Sequence, residues 1–123
     1  MSGRKILIID DEEKFCRAIK KALELKTDFQ VLTATEGLEG VRLAKTQKPD
    51  VVLLDVMMPG MFGTDVAEKL SDDPATSSIP IIFVTAIIKQ EEVEAKNYIA
   101  GGHSFIAKPV IIDDVIKKIN EVL

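Results

Sequence analysis

The sequence predicts an α/β fold built on one parallel sheet, in (βα)5 order. Apolar runs of four or five residues alternate with helical patterns of about ten to fifteen, the mark of repeated βα units. The first run is continuously apolar rather than alternating, which indicates a strand buried on both faces. Four of the runs also stop at polar residues. Asp10 and Asp11 follow Ile6–Ile9, Asp55 follows Val51–Leu54, Thr85 follows Ile81–Val84, and Lys108 follows Phe105–Ala107.

Lys5–Ile9 reads as the first strand. A helix from about Glu12 to Leu25 follows, with Phe15, Ala18, Ile19, Ala22 and Leu23 forming its apolar stripe. The second strand falls near Gln30–Ala34. Glu36–Lys45 is the second helix, turning Leu38, Val41 and Ala44 inward, and Pro49 breaks the chain before the third strand, Val51–Leu54. Thr64 is placed to cap a short third helix, Thr64–Leu70, with Val66 and Leu70 inward. Pro74 and Pro80 bracket a polar loop before the fourth strand, Ile81–Val84. A fourth helix is expected over Glu91–Ala100, stopped by Gly101 and Gly102. Phe105–Ala107 is the fifth strand. The last helix, Asp113–Leu123, has acids in its first turn and Val115, Ile119 and Val122 on its buried side.

A chain of 123 residues is expected to form one domain, residues 1–123, able to bury an ordinary core. Its 46% hydrophobic and 29% charged residues suit a soluble globular protein, and its net charge of -4 argues against a general nucleic-acid binder. No stretch approaches the roughly 20 apolar residues of a membrane helix, and the start does not resemble a signal peptide. The single cysteine, Cys16, cannot form an internal disulfide and fits a reducing compartment. The expected location is the cytoplasm.

If the runs are parallel strands of one sheet, their polar endings emerge along one edge, where open α/β sheets bind ligands. The gaps of 45, 30 and 23 residues between Asp10, Asp55, Thr85 and Lys108 suit one or two βα crossovers each. Three clustered carboxylates repel one another by about 4 kcal/mol per pair at about 4 Å, so the edge needs a cation or must take up protons. Oxygen-only ligands select a hard divalent ion, and Mg²⁺ is the natural choice. Such a cation also cancels charge on an incoming phosphoryl group, which makes attack by a carboxylate oxygen feasible. Lys108 adds a positive charge, and the Thr85 hydroxyl can donate to a phosphoryl oxygen.

Taken singly, each of these residues has a plainer explanation. Asp10-Asp11 could serve a helix N-terminus, Asp55 a turn, Thr85 a backbone bond and Lys108 the solvent. Met57, Met58 and Met61 read as packing, since thioethers are too soft for Mg²⁺. His103 reads as an exposed loop residue, Cys16 as a structural thiol beside the helix stripe, and Glu91, Glu92 and Glu94 as a solvated face.

Together the motifs resemble the receiver domain of two-component response regulators, over essentially the whole chain. The resemblance rests on Asp10-Asp11, on the segment Asp55-Val56-Met57-Met58-Pro59-Gly60-Met61-Phe62-Gly63, on Thr85-Ala86 and on Lys108-Pro109. It implies a flavodoxin-like, doubly wound sheet of strand order 2-1-3-4-5. It also implies that Asp55 is the phosphoacceptor, loaded by a sensor histidine kinase or a histidine phosphotransfer protein. Asp10, Asp11, Asp55 and the backbone carbonyl of Met57 would hold Mg²⁺ or Mn²⁺, and Lys108 would pair with the phosphate and the acids. Thr85 would grip the phosphoryl group while Phe105 turns inward, coupling the edge to an output face on the fourth helix, fifth strand and last helix. That face is also where a homodimer could form. The Lys108-Pro109 bond is expected to be cis.

The chain departs from the common pattern in three places. The segment between Thr85 and Gly101 is one residue longer than in many relatives. The switch aromatic is Phe105, where tyrosine is common. Met57 and Ile87, two residues beyond Asp55 and Thr85, are apolar and cannot orient a hydrolytic water, so slow self-dephosphorylation is expected.

An aspartate-dependent phosphatase would need an acid at position 57, and a nucleotide or flavin binder would need a phosphate loop in place of Asp10-Asp11-Glu12-Glu13. The chain is thus expected to be a phosphoacceptor switch rather than an enzyme. Its end at Leu123 permits a stand-alone receiver, a relay intermediate, or a receiver from a larger regulator or hybrid kinase.

Overall fold

A computed structural model describes residues 3–86 and 104–123. The fourth helix expected over Glu91–Ala100, its glycine stop, His103, Ile87 and the acids at 91, 92 and 94 lie outside these residues. The described chain runs β1 (Lys5–Ile9), α1 (Glu13–Lys26), β2 (Gln30–Ala34), α2 (Gly37–Gln47), β3 (Val51–Asp55), α3 (Gly63–Asp72), β4 (Ile81–Thr85), β5 (Ser104–Ala107) and a last helix, α4 (Ile112–Val122). All five strands form one parallel sheet in the order β2-β1-β3-β4-β5, as the resemblance implied.

Because successive strand residues point to opposite faces, each apolar run feeds two cores. Leu7, Ile9, Val52, Leu54, Ile81 and Phe83 face one side, where Val41 and Ala44 of α2 and Val66 and Leu70 of α3 cover them. Ile6, Ile8, Leu53, Ile82 and Val84 face the other, under Ile19 and Leu23 of α1 and Val115 and Ile119 of α4. This two-sided burial is why the runs do not alternate.

Three helix faces differ from expectation. In α1, Ala18 is exposed and Cys16 takes its place in the buried stripe with Ile19 and Leu23. In α2, Leu38 points to solvent, Gly40, Val41 and Ala44 are buried toward the sheet, and Gly37 packs against Met61 and Val66. Small residues let α2 sit close to β1: a Cβ on Gly40 would come within 2.4 Å of Ile9 Cδ1. In α4, Val122 is only half-buried. Thr64 does not cap α3, which starts one residue earlier. Phe62 holds the cap position, and its N–H donates to Asp65 Oδ2 at 3.2 Å. The early start follows from Gly63, whose N–H donates to the Val56 carbonyl at 2.7 Å and anchors the helix on the end of β3.

The loop between Pro74 and Pro80 is not uniformly polar surface. Thr76 is buried, and its hydroxyl donates to the Leu70 carbonyl at 2.7 Å, satisfying one of the free carbonyls near the end of α3.

Candidate functional site

Parallel strands end on the same edge, and the register brings their last residues level. Ile9 pairs with Leu54, Asp55 with Val84, and Thr85 with Ala107. Asp10 therefore follows β1 directly, with its N–H donating to the Ala34 carbonyl at 3.0 Å. Asp55 and Thr85 are the last residues of β3 and β4, and Lys108 follows β5, its N–H donating to the Thr85 carbonyl at 2.9 Å. The Lys108-Pro109 bond is cis, as expected.

The edge gathers the acids that the strand endings pointed to. One carboxylate oxygen from each of Asp10, Asp11 and Asp55 lies within 4.8 Å of the others. Asp10 is 1% exposed and Asp55 6%, whereas Asp11 is open to solvent. Burial holds Asp55 up at about 6, with the Asp10 charge adding to it, while Lys108 and the Met57 backbone N–H pull the other way. Asp10 is likewise raised, by burial first, against the relief given by Lys108 and the Glu12 N–H.

Three oxygen donors converging in this way, two of them charged only at a cost, fit a small hard dication. Asp10, Asp11 and Asp55 would hold it. The set matches the composition of Mg²⁺ sites, which keep several waters beside a few carboxylates.

Lys108 sits over this cluster without reaching Asp55. Its ammonium donates to Asp10 Oδ2 and to Glu12 Oε1, both at 2.8 Å, and lies 4.2 Å from the centre of the Phe15 ring. Burial works against its charge, but the bonds to Asp10 and Glu12 outweigh this and raise it above the ordinary lysine value. The pairing of Glu12 with Lys108 is not foreseen in the sequence. Glu12 reads as the start of a helix, and Phe15 as part of the α1 stripe; a lysine one position before the cis proline was the available signal.

Phe105 is buried and stacks on Phe83, with ring centres 5.3 Å apart and planes 25° from parallel. Met57 is 47% exposed and Met58 is buried, so only the second of these contributes to the core. The Cys16 thiol donates to the Asp10 carbonyl at 3.4 Å and is pushed up to about 11 by burial and the Asp10 charge, which keeps it protonated and unreactive. A hollow of about 480 Å³ opens beside Lys108, bordered by Phe15, Ile19, Ala86 and Val110. No helix among the described residues is long and apolar enough to cross a membrane.

Comparison with known proteins agrees with this geometry. The family model described as "Response regulator receiver domain" matches residues 6–120. Protein PilH of Pseudomonas aeruginosa is 40% identical over 97% of both chains. Response regulator PleD of Caulobacter vibrioides is also 40% identical, over 94% of this chain but only 24% of its own length. Among solved structures, a CheY-like receiver domain protein from Methanospirillum hungatei superposes with a TM-score of 0.83 at 29% identity, covering 98% of this chain and 93% of that one.

Proposed function

The chain belongs to the response regulator receiver domain family, a family of phosphoacceptor switches rather than conventional enzymes, and from that premise we propose that Asp55 accepts a phosphoryl group from a phosphohistidine. The donor is a sensor histidine kinase or a histidine phosphotransfer protein. The convergence of Asp10, Asp11 and Asp55 at the sheet edge, with Lys108 above them, carries this reading.

An Asp55 carboxylate oxygen attacks phosphorus, the P–N bond breaks, and its electron pair leaves with the imidazole. The product on Asp55 is an acyl phosphate. Attack requires the ionised carboxylate, which the Asp55 value of about 6 supplies at neutral pH. A bound Mg²⁺ or Mn²⁺ would neutralise charge on the transferring group. Asp10, Asp11, Asp55 and the Met57 carbonyl are its proposed ligands. The Lys108 ammonium and the Thr85 hydroxyl steady the phosphoryl oxygens, and movement of Thr85 is coupled to Phe105.

The expected output face includes β5 and α4, where a hollow of about 390 Å³ is lined by Phe105, Pro109, Asp114 and Lys117. It would receive an output protein or a second copy of the chain. The overlap with 97% of PilH supports a receiver domain over residues 1–123. The overlap with only 24% of PleD supports the alternative of a receiver within a larger regulator. The proposed location is the cytoplasm, with no direct nucleic-acid contact and no membrane insertion.

Labelling with acetyl phosphate tests the assignment. Wild type is expected to take up an acid-labile phosphoryl group only with Mg²⁺ present, and Asp55→Asn to take up none. An acid-stable label, or one surviving the substitution, removes Asp55 from this role. Once formed, the acyl phosphate is expected to persist for minutes or longer, because Met57 offers a hydrolytic water no polar group. Decay within seconds contradicts that expectation.

A further inference from the structure

We propose that Glu12 is a positioning residue: it docks the Lys108 ammonium away from Asp55 and must release it when the phosphoryl group arrives. The inference rests on the phosphoacceptor reading of Asp55. Lys108 has one charge to share, and in this structure the Asp10 and Glu12 carboxylates claim it, each at 2.8 Å. The Phe15 ring closes a third side, 4.2 Å from the ammonium.

The two carboxylates are not equivalent. Asp10 belongs to the trio converging within 4.8 Å, so a cation neutralising that trio weakens its pull on Lys108. Glu12 stands outside the trio on a 63% exposed side chain, and its grip does not depend on what neutralises the three acids. A phosphoryl group on Asp55 therefore competes with Glu12 for the lysine. The Lys108 side chain is 10% exposed, but its bond to Glu12 lies at the surface, so the exchange has the modest size of an exposed ion pair.

Beryllofluoride, a stable phosphoryl mimic, provides the test. It is titrated in saturating Mg²⁺ into wild type, Glu12→Gln, Lys108→Gln and the double variant, with binding followed by fluorine NMR. Glu12→Gln is expected to bind the mimic about threefold tighter than wild type, the size of one released exposed ion pair. In the Lys108→Gln background the same change is expected to do nothing, because no ammonium remains to release. The Lys108 side-chain nitrogen resonance should also move on Glu12→Gln substitution before any mimic is added.

Equal or weaker binding by Glu12→Gln overturns the inference, and weaker binding would instead make Glu12 a helper of the cation. An equal gain with and without Lys108 also overturns it, reducing Glu12 to a general source of repulsion. If wild type binds no mimic, or Asp55→Asn binds it as well as wild type does, the phosphoacceptor reading itself falls.

Discussion

Asp55→Asn is expected to make the metal-free protein about 2 kcal/mol more stable at pH 8, while abolishing its capacity for phosphoryl uptake. The gain comes from removing a charge that the fold tolerates poorly. Burial and the neighbouring Asp10 charge hold the Asp55 carboxyl up at about 6, against an ordinary value of about 4 in an unfolded chain. A carboxyl of raised pKa holds its proton more tightly in the folded protein. Its contribution to stability is full below about pH 4 and is lost as pH rises through about 6. A shift of about two units corresponds to about 3 kcal/mol, and the residual cost of burying an amide reduces the net gain from substitution.

Urea unfolding in EDTA between pH 4 and pH 8 measures this. The variant should gain on wild type progressively across that range. Adding Mg²⁺ should narrow the difference at pH 8, since a ligand of the folded state stabilises wild type by mass action. A difference that does not change with pH would contradict the raised Asp55 value.

Gly63→Ala is expected to be the most damaging small substitution near the site, lowering stability by about 3 kcal/mol. An added Cβ would lie 2.1 Å from the Asp55 carbonyl oxygen and 2.9 Å from both the Asp55 carbonyl carbon and the Val56 Cα. These are backbone atoms, so the helix start and the strand end must separate. The bond from the Gly63 N–H to the Val56 carbonyl is lost in the same movement. Since Asp55 is displaced, affinity for beryllofluoride should fall as well. Gly40→Ala is the comparison: its Cβ would meet side-chain atoms of the buried Ile9 rather than backbone, and a smaller loss than at Gly63 is expected. Thermal unfolding checks both, with Gly63→Ala expected to melt about 10 °C lower. A Gly63→Ala protein within about 0.5 kcal/mol of wild type would show that the α3–β3 junction is loose.

The strands and the acid cluster were legible in the sequence because both depend on short-range rules. A run such as Val51–Leu54 is buried on both faces wherever it falls in a parallel sheet, and parallel strands bring their final residues to one edge. Asp10, Asp55, Thr85 and Lys108 follow from those two facts. Helix faces were less legible. Val41 and Ala44 face inward as expected, but Leu38 does not: Gly40 allows the helix to approach Ile9 more closely than a leucine would, and the buried face is completed on that side by a glycine. The cap of α3 was misassigned to Thr64 because anchoring of Gly63 on the end of β3 outweighs a side-chain cap. The pairing of Lys108 with Glu12 was hidden for another reason. A long, flexible side chain chooses among several acids within reach, and a separation of 96 positions leaves no local pattern to read.

The sheet order also divides the cluster by tenacity. Asp10, Asp55 and Thr85 are borne by β1, β3 and β4, each flanked by a strand on either side, whereas Lys108 hangs from β5, which has a single neighbour. A fringe strand peels before its inner companions do. The anionic floor of the cleft thus rests on strands paired along both sides, and the Lys108 ammonium on a strand paired along one.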